Sequence, residues 1–587
     1  MSRKKEICIN ILEKVKSRIS GPRAPWLKYY TKSERDLKVP DLSAYGFLAE
    51  KGKDYKNALA YNYFGKTATY KQFLKQIDEA ARAYRCQGIR VGDVVTVCMP
   101  NTPEAVITFY ALNKIGAIAN MIHPLSGEKE IKEYLNSTNS VMLVMIDICY
   151  EKIKNIISDT KVYKTVVVSA KDSMPALISL GYAITKGFKV EKPKSSEEYV
   201  YWKDFIKKYG KYNGQYIADT NKDTPAVILH SGGTTGTPKG IVASNQAFNA
   251  MAIQARSPLK GFGLGDSLLA VMPVFHGFGL CVSIHIPLIL GATVILVPQF
   301  NHKKFDKLIM KYKPSMVIGV PVMLETLADQ NSNIDLSFLT HVVSGGDSMS
   351  INAINKVDAF LASHDSKAKM VQGYGMTESL AGTAFGFGEC NKPGSIGIPL
   401  PGNYYKIVRP GTHDELPYGE DGEICVTGPT LMLGYLNNEK ETNEMLQKHD
   451  DGYIWLHTGD MGCIDDDGVV FYKLRIKRML VSSGYNVYPK YIEDVIEEHE
   501  AVLKCTVVGI PHPHKGEVAK AFIVLKNDYK ESFVLKKSIK DHCESHLAKY
   551  SLPHEYEFRE SLPKTLIGKV DFRKLQEESK NEFKKKD

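Results

Sequence analysis

The feature that most constrains this chain is a repeated alternation of short apolar runs with amphipathic segments of helical length. After Tyr55, two β-rich runs around a Gly-containing turn predict a hairpin, and residues 72–88 place apolar side chains at helical spacing. The run VVTVCMP at 94–100 predicts a buried strand, 104–119 a helix, and 141–147 another buried strand. Strands separated by helices of this length predict βαβ units and parallel sheets that are covered on both faces.

The pattern changes twice farther along the chain. The α/β alternation continues to about residue 400, and short strand patterns bounded by PG, DG and DDDG turns then predict a β-rich subdomain over about 400–473. Helix and strand patterns return after Arg478, over a length that suffices for a separate domain. The sequence therefore predicts an α/β fold. Its large N-terminal lobe has two α/β subdomains and the β-rich subdomain, and a smaller C-terminal α+β domain follows.

Length and charge exclude several classes of protein. A chain of 587 residues is too long for one compact core. Its 76 Lys and Arg against 66 Asp and Glu give +10, too dilute for the basic face of a nucleic-acid-binding protein. We therefore expect no nucleic-acid partner. The basic N-terminus predicts an amphipathic helix and weak peripheral association with anionic membranes.

Cysteines and apolar stretches indicate a cytoplasmic protein. None of the ten cysteines forms a CxxC pair, and most lie in apolar runs, as expected of buried thiols in a reducing compartment. The longest apolar stretch, 280–300, is split by Pro287, Gly291 and Pro298. It predicts a buried helix end and a buried strand instead of a membrane span.

The segment HSGGTTGTPKGI at 230–241 has the composition of a phosphate-binding loop. It follows the short strand AVILH, its glycines let backbone N–H groups approach a polyanion, and its hydroxyls and lysine add donors. The spacing excludes a Walker A loop, because Lys239 is preceded by proline and followed by glycine. The candidate phosphate-binding residues are Ser231, Gly232, Gly233, Thr234, Thr235 and Lys239.

Six further motifs follow this loop in a fixed order. With them the chain resembles the adenylate-forming superfamily, which contains acyl-CoA synthetases, peptide-synthetase adenylation domains and luciferases. The resemblance covers the chain from about residue 45. The motifs are PVFHGFG (273–279), SGGDSM (344–349), QGYGMTE (372–378), LHTGD (456–460), RIKRMLVSSGYNVYP (475–489) and PKTLIGKV (563–570).

The resemblance implies a reaction in two halves. A carboxylate attacks the α-phosphorus of ATP to give an acyl-adenylate and pyrophosphate, and the thiol of coenzyme A then displaces AMP. It implies ATP, Mg²⁺ and coenzyme A, and a C-terminal domain that rotates about a hinge between the halves. We expect a lead-in at 1–45, a large domain at 46–473, a hinge at 474–477 and a mobile lid domain at 478–587.

The resemblance also implies roles for single residues. Glu378, with Thr234, would hold Mg²⁺, and Thr377 would contact the α-phosphate. Lys569, with Lys239 and His276, would act in catalysis, and Lys569 would bridge the carboxylate and the α-phosphate. Asp460 and Arg475 would contact the ribose, Lys477 would be the hinge, and Gly484 would leave room for the pantetheine arm. The residues that would form the adenine pocket are Gly345, Gly346, Asp347, Gln372, Gly373 and Tyr374.

Two polar clusters have simpler interpretations. Asp465, Asp466 and Asp467 lie between two strand patterns and predict a hairpin turn. His512 and His514 have no third ligand nearby in the sequence, so we expect a surface turn and no zinc.

The leading hypothesis is an ATP-dependent acyl-CoA ligase for a medium- or long-chain fatty acid. Residues 277–285 and 379–388 are small and apolar, which suits an aliphatic acid, and a homodimer is a further expectation. An acyl-AMP ligase that loads a separate carrier protein, and a CoA ligase for aryl or steroidal acids, remain alternatives. The complete set of matched polar residues argues against an inactive binding protein.

Overall fold

The computed structural model describes residues 24–185, 191–231, 239–330, 334–482, 485–512, 515–564 and 570–584. The chain divides into two compact units. The first unit comprises Met1–Tyr405, Val426–Leu456 and Asp467–Val469, and the second comprises Lys406–Cys425, His457–Asp466 and Val470–Asp587. The predicted basic helix at the N-terminus lies outside the described residues.

The first unit is built on two large, mainly parallel sheets. The nine-stranded sheet has the order Ile398–Pro399, Gly382–Phe385, Met370–Gly375, His341–Gly345, Met316–Gly319, Ser267–Ala270, Thr293–Leu296, Leu59–Tyr63 and Lys66–Thr69. The eight-stranded sheet has the order Gly434–Tyr435, Lys239–Ser244, Pro225–Ser231, Ile118–Ile122, Val94–Cys98, Met142–Ile146, Lys164–Val168 and Tyr199–Tyr201. Sequential strands separated by helices therefore form parallel sheets, as the alternation predicts.

Helices cover these sheets and bury a common apolar core. The core includes the aromatic side chains of Phe73, Tyr110 and Phe248, each almost fully buried. The helices of the first unit are Lys32–Arg35, Ala44–Asp54, Tyr70–Cys86, Pro103–Lys114, Glu128–Ser137, Tyr150–Ile153, Ala176–Thr185, Trp202–Tyr209, Asn245–Gln254, Ile286–Leu290, Phe305–Tyr312, Pro321–Ala328, Ile351–Ser363 and Glu439–Met445.

Local sequence signals explain the first elements. The hairpin of Leu59–Tyr63 and Lys66–Thr69 turns at Phe64 and Gly65, both at positive φ, as a two-residue hairpin turn requires. The next helix, Tyr70–Cys86, begins with a capping box between Thr69 and Gln72. The predicted helix at 104–119 was wrong at its end. The helix stops at Lys114, and Ile118–Ile122 is a strand, because Gly116 at φ +76° ends the helix.

The chain crosses from one unit to the other within strands of a five-stranded sheet. Its order is Tyr404–Val408, Gly422–Thr427, Ile454–Ile464 and Leu446–Lys448, and Val470–Arg475 pairs with Ile454–Ile464. The DDDG segment turns between the last two strands, as predicted, and Asp467 forms ion pairs with Lys28 and Lys392. These two lysines lower the pKa of Asp467 to about 2.

The second unit also contains a sheet with helices of its own. The sheet has the order Tyr485–Val487, Leu480–Ser482, Gly516–Leu525 and Val502–His512, and Glu555–Phe558 pairs parallel to Gly516–Leu525. Its helices are Pro489–Glu497, Phe533–His546 and Phe572–Lys584. Among the described residues, no helix combines the length and apolarity that a membrane span needs.

Candidate active site

Two of the predicted motifs lie side by side on neighbouring parallel strands of the first unit. His341–Gly345 pairs with Met370–Gly375, with Gly345 opposite Gly373. The carboxyl ends of these strands lie at the same edge of the sheet. The first strand leads there into Gly346 and Asp347, and the second carries Tyr374 near its end. Ligands of open α/β sheets bind at such an edge. The structure therefore brings together the residues that we expected in the adenine pocket.

Gln372 organises this edge through its side-chain amide. The amide nitrogen donates to the carbonyl of Ser395 at 2.9 Å, and the amide oxygen accepts from the backbone N–H of Met349 at 3.3 Å. Both partners are backbone groups, so the side chain of Gln372 ties the motif loop to a second loop. Asp347 is exposed, and its carboxylate accepts from the backbone N–H of Ser348 at 2.9 Å.

Glu378 lies in a tight turn at the end of the next motif. The turn is a 3₁₀ helix, Thr377–Ser379, and the side chain of Glu378 is buried. Its Oε1 accepts a hydrogen bond from the hydroxyl of Tyr435 at 2.9 Å, and its backbone oxygen accepts from the N–H of Met432 at 2.8 Å. Burial and the nearby carboxylate of Glu378 raise the pKa of Tyr435, so its hydroxyl stays a donor.

The His276 segment packs directly on this turn. A Cβ atom built on Gly277 would lie 1.7 Å from the backbone oxygen of Leu380, which itself has φ +65°. The chain can approach so closely only because residue 277 has no side chain. The contact places His276, next to Gly277, beside the turn that carries Glu378.

Gly277→Ala will destabilise the first unit by about 3 kcal/mol, because the backbone of Leu380 must move to admit the methyl group. Gly277 has φ −54° and ψ −38°, so alanine has no conformational penalty there and the whole effect is steric. Denaturant unfolding measures it. Gly46→Ala is the matched control, because no atom lies closer than 3.4 Å to its built Cβ. Equal midpoints for the two variants would contradict this packing.

The ends of the predicted phosphate loop face each other across a strand pair. Ser231 ends one strand, Lys239 begins the next, and the two residues are opposite one another. Burial lowers the pKa of the adjacent His230 to about 3, so its imidazole is neutral, and its Nε2 lies 2.6 Å from Oδ1 of Asn120. The Nζ of Lys239 lies 2.5 Å from a carboxylate oxygen of Glu441.

The two predicted ribose residues are neighbours in the second unit. Asp460 and Arg475 are opposite each other on antiparallel strands, with the Nε of Arg475 3.1 Å from Oδ1 of Asp460. Asp460 is buried, whereas the side chain of Arg475 is half exposed. The backbone of Lys477 continues this strand into a 3₁₀ turn, Ile476–Arg478.

Several predicted residues are not placed by the structure. Those outside the described residues are Gly232, Gly233, Thr234, Thr235, Gly484, His514, Lys569 and the side chain of Lys477.

Comparison with known families identifies the chain. It matches the AMP-binding enzyme family over residues 48–436 and the AMP-binding enzyme C-terminal domain over residues 491–569. The first match alone covers more than half of the chain. The chain belongs to the AMP-binding enzyme family. The folds of the two units described above are those of this adenylate-forming family.

Individual relatives cover nearly the whole AMP-binding enzyme. A long-chain-fatty-acid–CoA ligase of Bacillus subtilis is 31% identical over 94% of this chain and 98% of its own length. A probable 4-coumarate–CoA ligase of Dictyostelium discoideum is 31% identical over 84% of this chain and 87% of its own. The crystal structure of the anthranilate CoA ligase AuaEII in complex with anthranoyl-AMP superposes with a TM-score of 0.81 at 24% identity, covering 93% and 99% of the two chains.

Three residues that contact candidate site residues in one unit or the other were not predicted from the sequence of this AMP-binding enzyme. Tyr435 and Glu441 contact Glu378 and Lys239, although they are far from both in sequence. Buried Glu423 accepts from the backbone N–H of Gly459 at 3.0 Å and so holds the strand just before Asp460. The sequence did offer one indication of Glu423: it lies in the apolar run GEICVTG, and a carboxylate buried in such a run needs hydrogen-bonding partners.

Proposed function

We propose that this AMP-binding enzyme converts a medium- or long-chain fatty acid into its coenzyme A thioester. As an ATP-dependent acyl-CoA ligase it forms an acyl-adenylate and pyrophosphate from acid and ATP, and then a thioester and AMP. The observation that supports the proposal is the packing of the His276 segment on the Glu378 turn. A Cβ atom built on Gly277 would lie 1.7 Å from the backbone oxygen of Leu380. This packing would join the proposed site for phosphate chemistry to an apolar stretch suited to an acyl chain.

Charge neutralisation is the first requirement of this reaction. A carboxylate must approach a triphosphate, so cations and donors must lower the negative charge between them. Lys239 and the donors of the 231–236 loop would hold the phosphates. Lys569 would lie between the attacking carboxylate and the α-phosphate and stabilise the charge that develops on the transferring oxygens.

The residues around Glu378 fit Mg²⁺. A buried carboxylate whose Oε1 already accepts from Tyr435 keeps its second oxygen for a metal ion, and hard oxygen ligands are those that Mg²⁺ prefers. Glu378, with the hydroxyl of Thr234, would hold the ion. When bound, Mg²⁺ supplies positive charge that neutralises phosphate oxygens.

The acid would lie between the His276 segment and the strand Gly382–Phe385. Phe278 and Phe385 lie within 3.5 Å of Cβ atoms built on Gly345 and Gly373, so aromatic side chains border the glycines of the adenine pocket. His276 would orient the reacting carboxylate at the mouth of this apolar region. The long-chain-fatty-acid–CoA ligase named above supports an aliphatic acid, and the 4-coumarate–CoA ligase keeps an aryl acid as the second candidate.

The second half of the reaction requires a different arrangement. Lys477 would be the hinge about which the C-terminal domain turns after adenylation. Gly484 would then leave room for the pantetheine arm, since a glycine permits close passage. Alternation of this kind lets one site present Lys569 first and the thiol second.

A carboxylate panel tests the substrate class. With ATP and coenzyme A, we expect kcat/KM to rise at least about 100-fold from acetate to octanoate, since each buried CH₂ contributes about 0.8 kcal/mol. AMP and thioester are both measured. Benzoate and 4-coumarate are the comparison acids, and a preference for either over octanoate would contradict the aliphatic assignment. AMP formation without thioester, restored by an acyl carrier protein, would favour the carrier-loading alternative.

A further inference from the structure

One short segment of the first unit contacts both Lys239, which we assign to phosphate binding, and Glu378, which we assign to Mg²⁺. The segment Gly434–Thr442, called here the 434–442 segment, pairs with the strand that begins at Lys239, with Gly434 opposite Val242 and Tyr435 opposite Ile241. The backbone N–H of Leu436 also donates to the carbonyl of Gly240 at 2.7 Å. The segment is therefore fixed to the strand that follows the phosphate loop.

The end of the 434–442 segment places a carboxylate on Lys239. Asn438 accepts from the backbone N–H of Glu441 at 3.1 Å and so starts the helix Glu439–Met445. Thr442 accepts from the backbone N–H of Tyr435 at 2.9 Å and closes the loop between strand and helix. The side chain of Glu441 then reaches the Nζ of Lys239 at 2.5 Å.

This ion pair is less exposed to solvent than an ordinary surface pair. The side chains of Lys239 and Glu441 are only 22% and 27% exposed, and the Nζ of Lys239 lies 5.1 Å from the ring centroid of Tyr435. An exposed pair changes an equilibrium by at most about fivefold, and partial burial raises that value by reducing screening. The carboxylate of Glu441 therefore lies on the cation to which we assign the phosphates.

We propose that Glu441 sets the affinity of this enzyme for polyphosphate by competing with it for Lys239. The inference rests on the proposed function, in which Lys239 binds the phosphates of ATP. Binding of ATP then exchanges one anion for another on the same cation, and the lost ion pair weakens binding. Such a built-in competitor limits the affinity for pyrophosphate as well as for ATP, and so favours release of that product.

Equilibrium titration of the full-length enzyme with ATP and Mg²⁺, without acid or coenzyme A, tests the proposal. Glu441→Gln keeps the shape of the side chain and the backbone contact to Asn438 but removes the charge. We expect the Kd for ATP and for pyrophosphate to fall about three- to tenfold. The Kd for AMP, which lacks the β- and γ-phosphates, should change less than about twofold.

Glu439→Gln is the matched control, because this exposed carboxylate lies in the same helical turn and has the same charge. Its Kd for ATP should stay within about twofold of wild type. In a Lys239→Ala background, Glu441→Gln should no longer tighten binding, since the two residues act through one contact.

The outcomes separate the inference from the proposed function. If Lys239→Ala leaves the Kd for ATP unchanged, the assigned role of Lys239 is wrong and the inference falls with it. If Lys239→Ala weakens binding while Glu441→Gln leaves it unchanged or weakens it, only the inference is overturned. The second pattern would make Glu441 a residue that holds Lys239 in position.

Discussion

Lys569→Ala will lower the rate of acyl-adenylate formation by about 1,000-fold, with a much smaller change in the KM for ATP. The proposed lysine contacts the oxygens that gain charge as the carboxylate attacks, so its loss removes an interaction made mainly in the transition state. ATP–pyrophosphate exchange with octanoate measures this half of the reaction. The expected size of the effect follows because one preorganised donor contributes a factor of roughly 100 to 1,000 to the rate.

The same variant should keep the other half of the reaction. When supplied with synthetic octanoyl-AMP and coenzyme A, Lys569→Ala should form thioester within about fivefold of the wild-type rate, because the residues proposed for the hinge and the thiol passage are unchanged. Lys564→Ala is the control. This exposed lysine lies in the same motif, and its backbone bridges to Val570. Equal losses in both variants, or in both half-reactions, would remove Lys569 from the adenylation step.

The sequence could predict the features whose causes are local. The hairpin at Phe64 and Gly65 was predicted from its Gly-containing turn, and the helix Tyr70–Cys86 was predicted at 72–88 from its apolar spacing. The end of the helix Pro103–Lys114 was mispredicted, because the apolar residues that follow it are compatible with either a buried helix or a buried strand. Only the partner strands decide between those two structures.

Contacts made by tertiary structure could not be predicted in the same way. The resemblance implied roles for Gln372 and Glu378 because each lies within one of the motifs that carry it. Tyr435 and Glu441 reach Glu378 and Lys239 only because a two-residue strand pairs with the strand after the phosphate loop. No pattern within Gly434–Thr442 indicates that pairing. Residues that tune a site are therefore harder to find from sequence than residues that form it.

We expect Asp460→Ala to raise the Kd for ATP by about 100-fold, because the two hydrogen bonds that we propose from ribose hydroxyls to this carboxylate would be lost. The carboxylate is buried and lies 3.1 Å from the Nε of Arg475, and Glu423 accepts from the backbone N–H of Gly459, the residue before it in the strand. This preorganisation would strengthen the proposed ribose contact. Titration with ATP, with unfolding followed in parallel, separates lost binding from lost stability.

A ligand that lacks the hydroxyls makes the test specific to the ribose contact. Wild-type enzyme should bind 2′,3′-dideoxy-ATP about 100-fold more weakly than ATP, whereas Asp460→Ala should bind both equally, because the carboxylate that distinguishes them is gone. Asp466→Ala is the control, an exposed carboxylate in the hairpin turn that follows the same strand. It should keep the full preference for ATP. If Asp460→Ala still discriminates between the two nucleotides, the ribose hydroxyls bind elsewhere and Asp460 serves only its ion pair with Arg475.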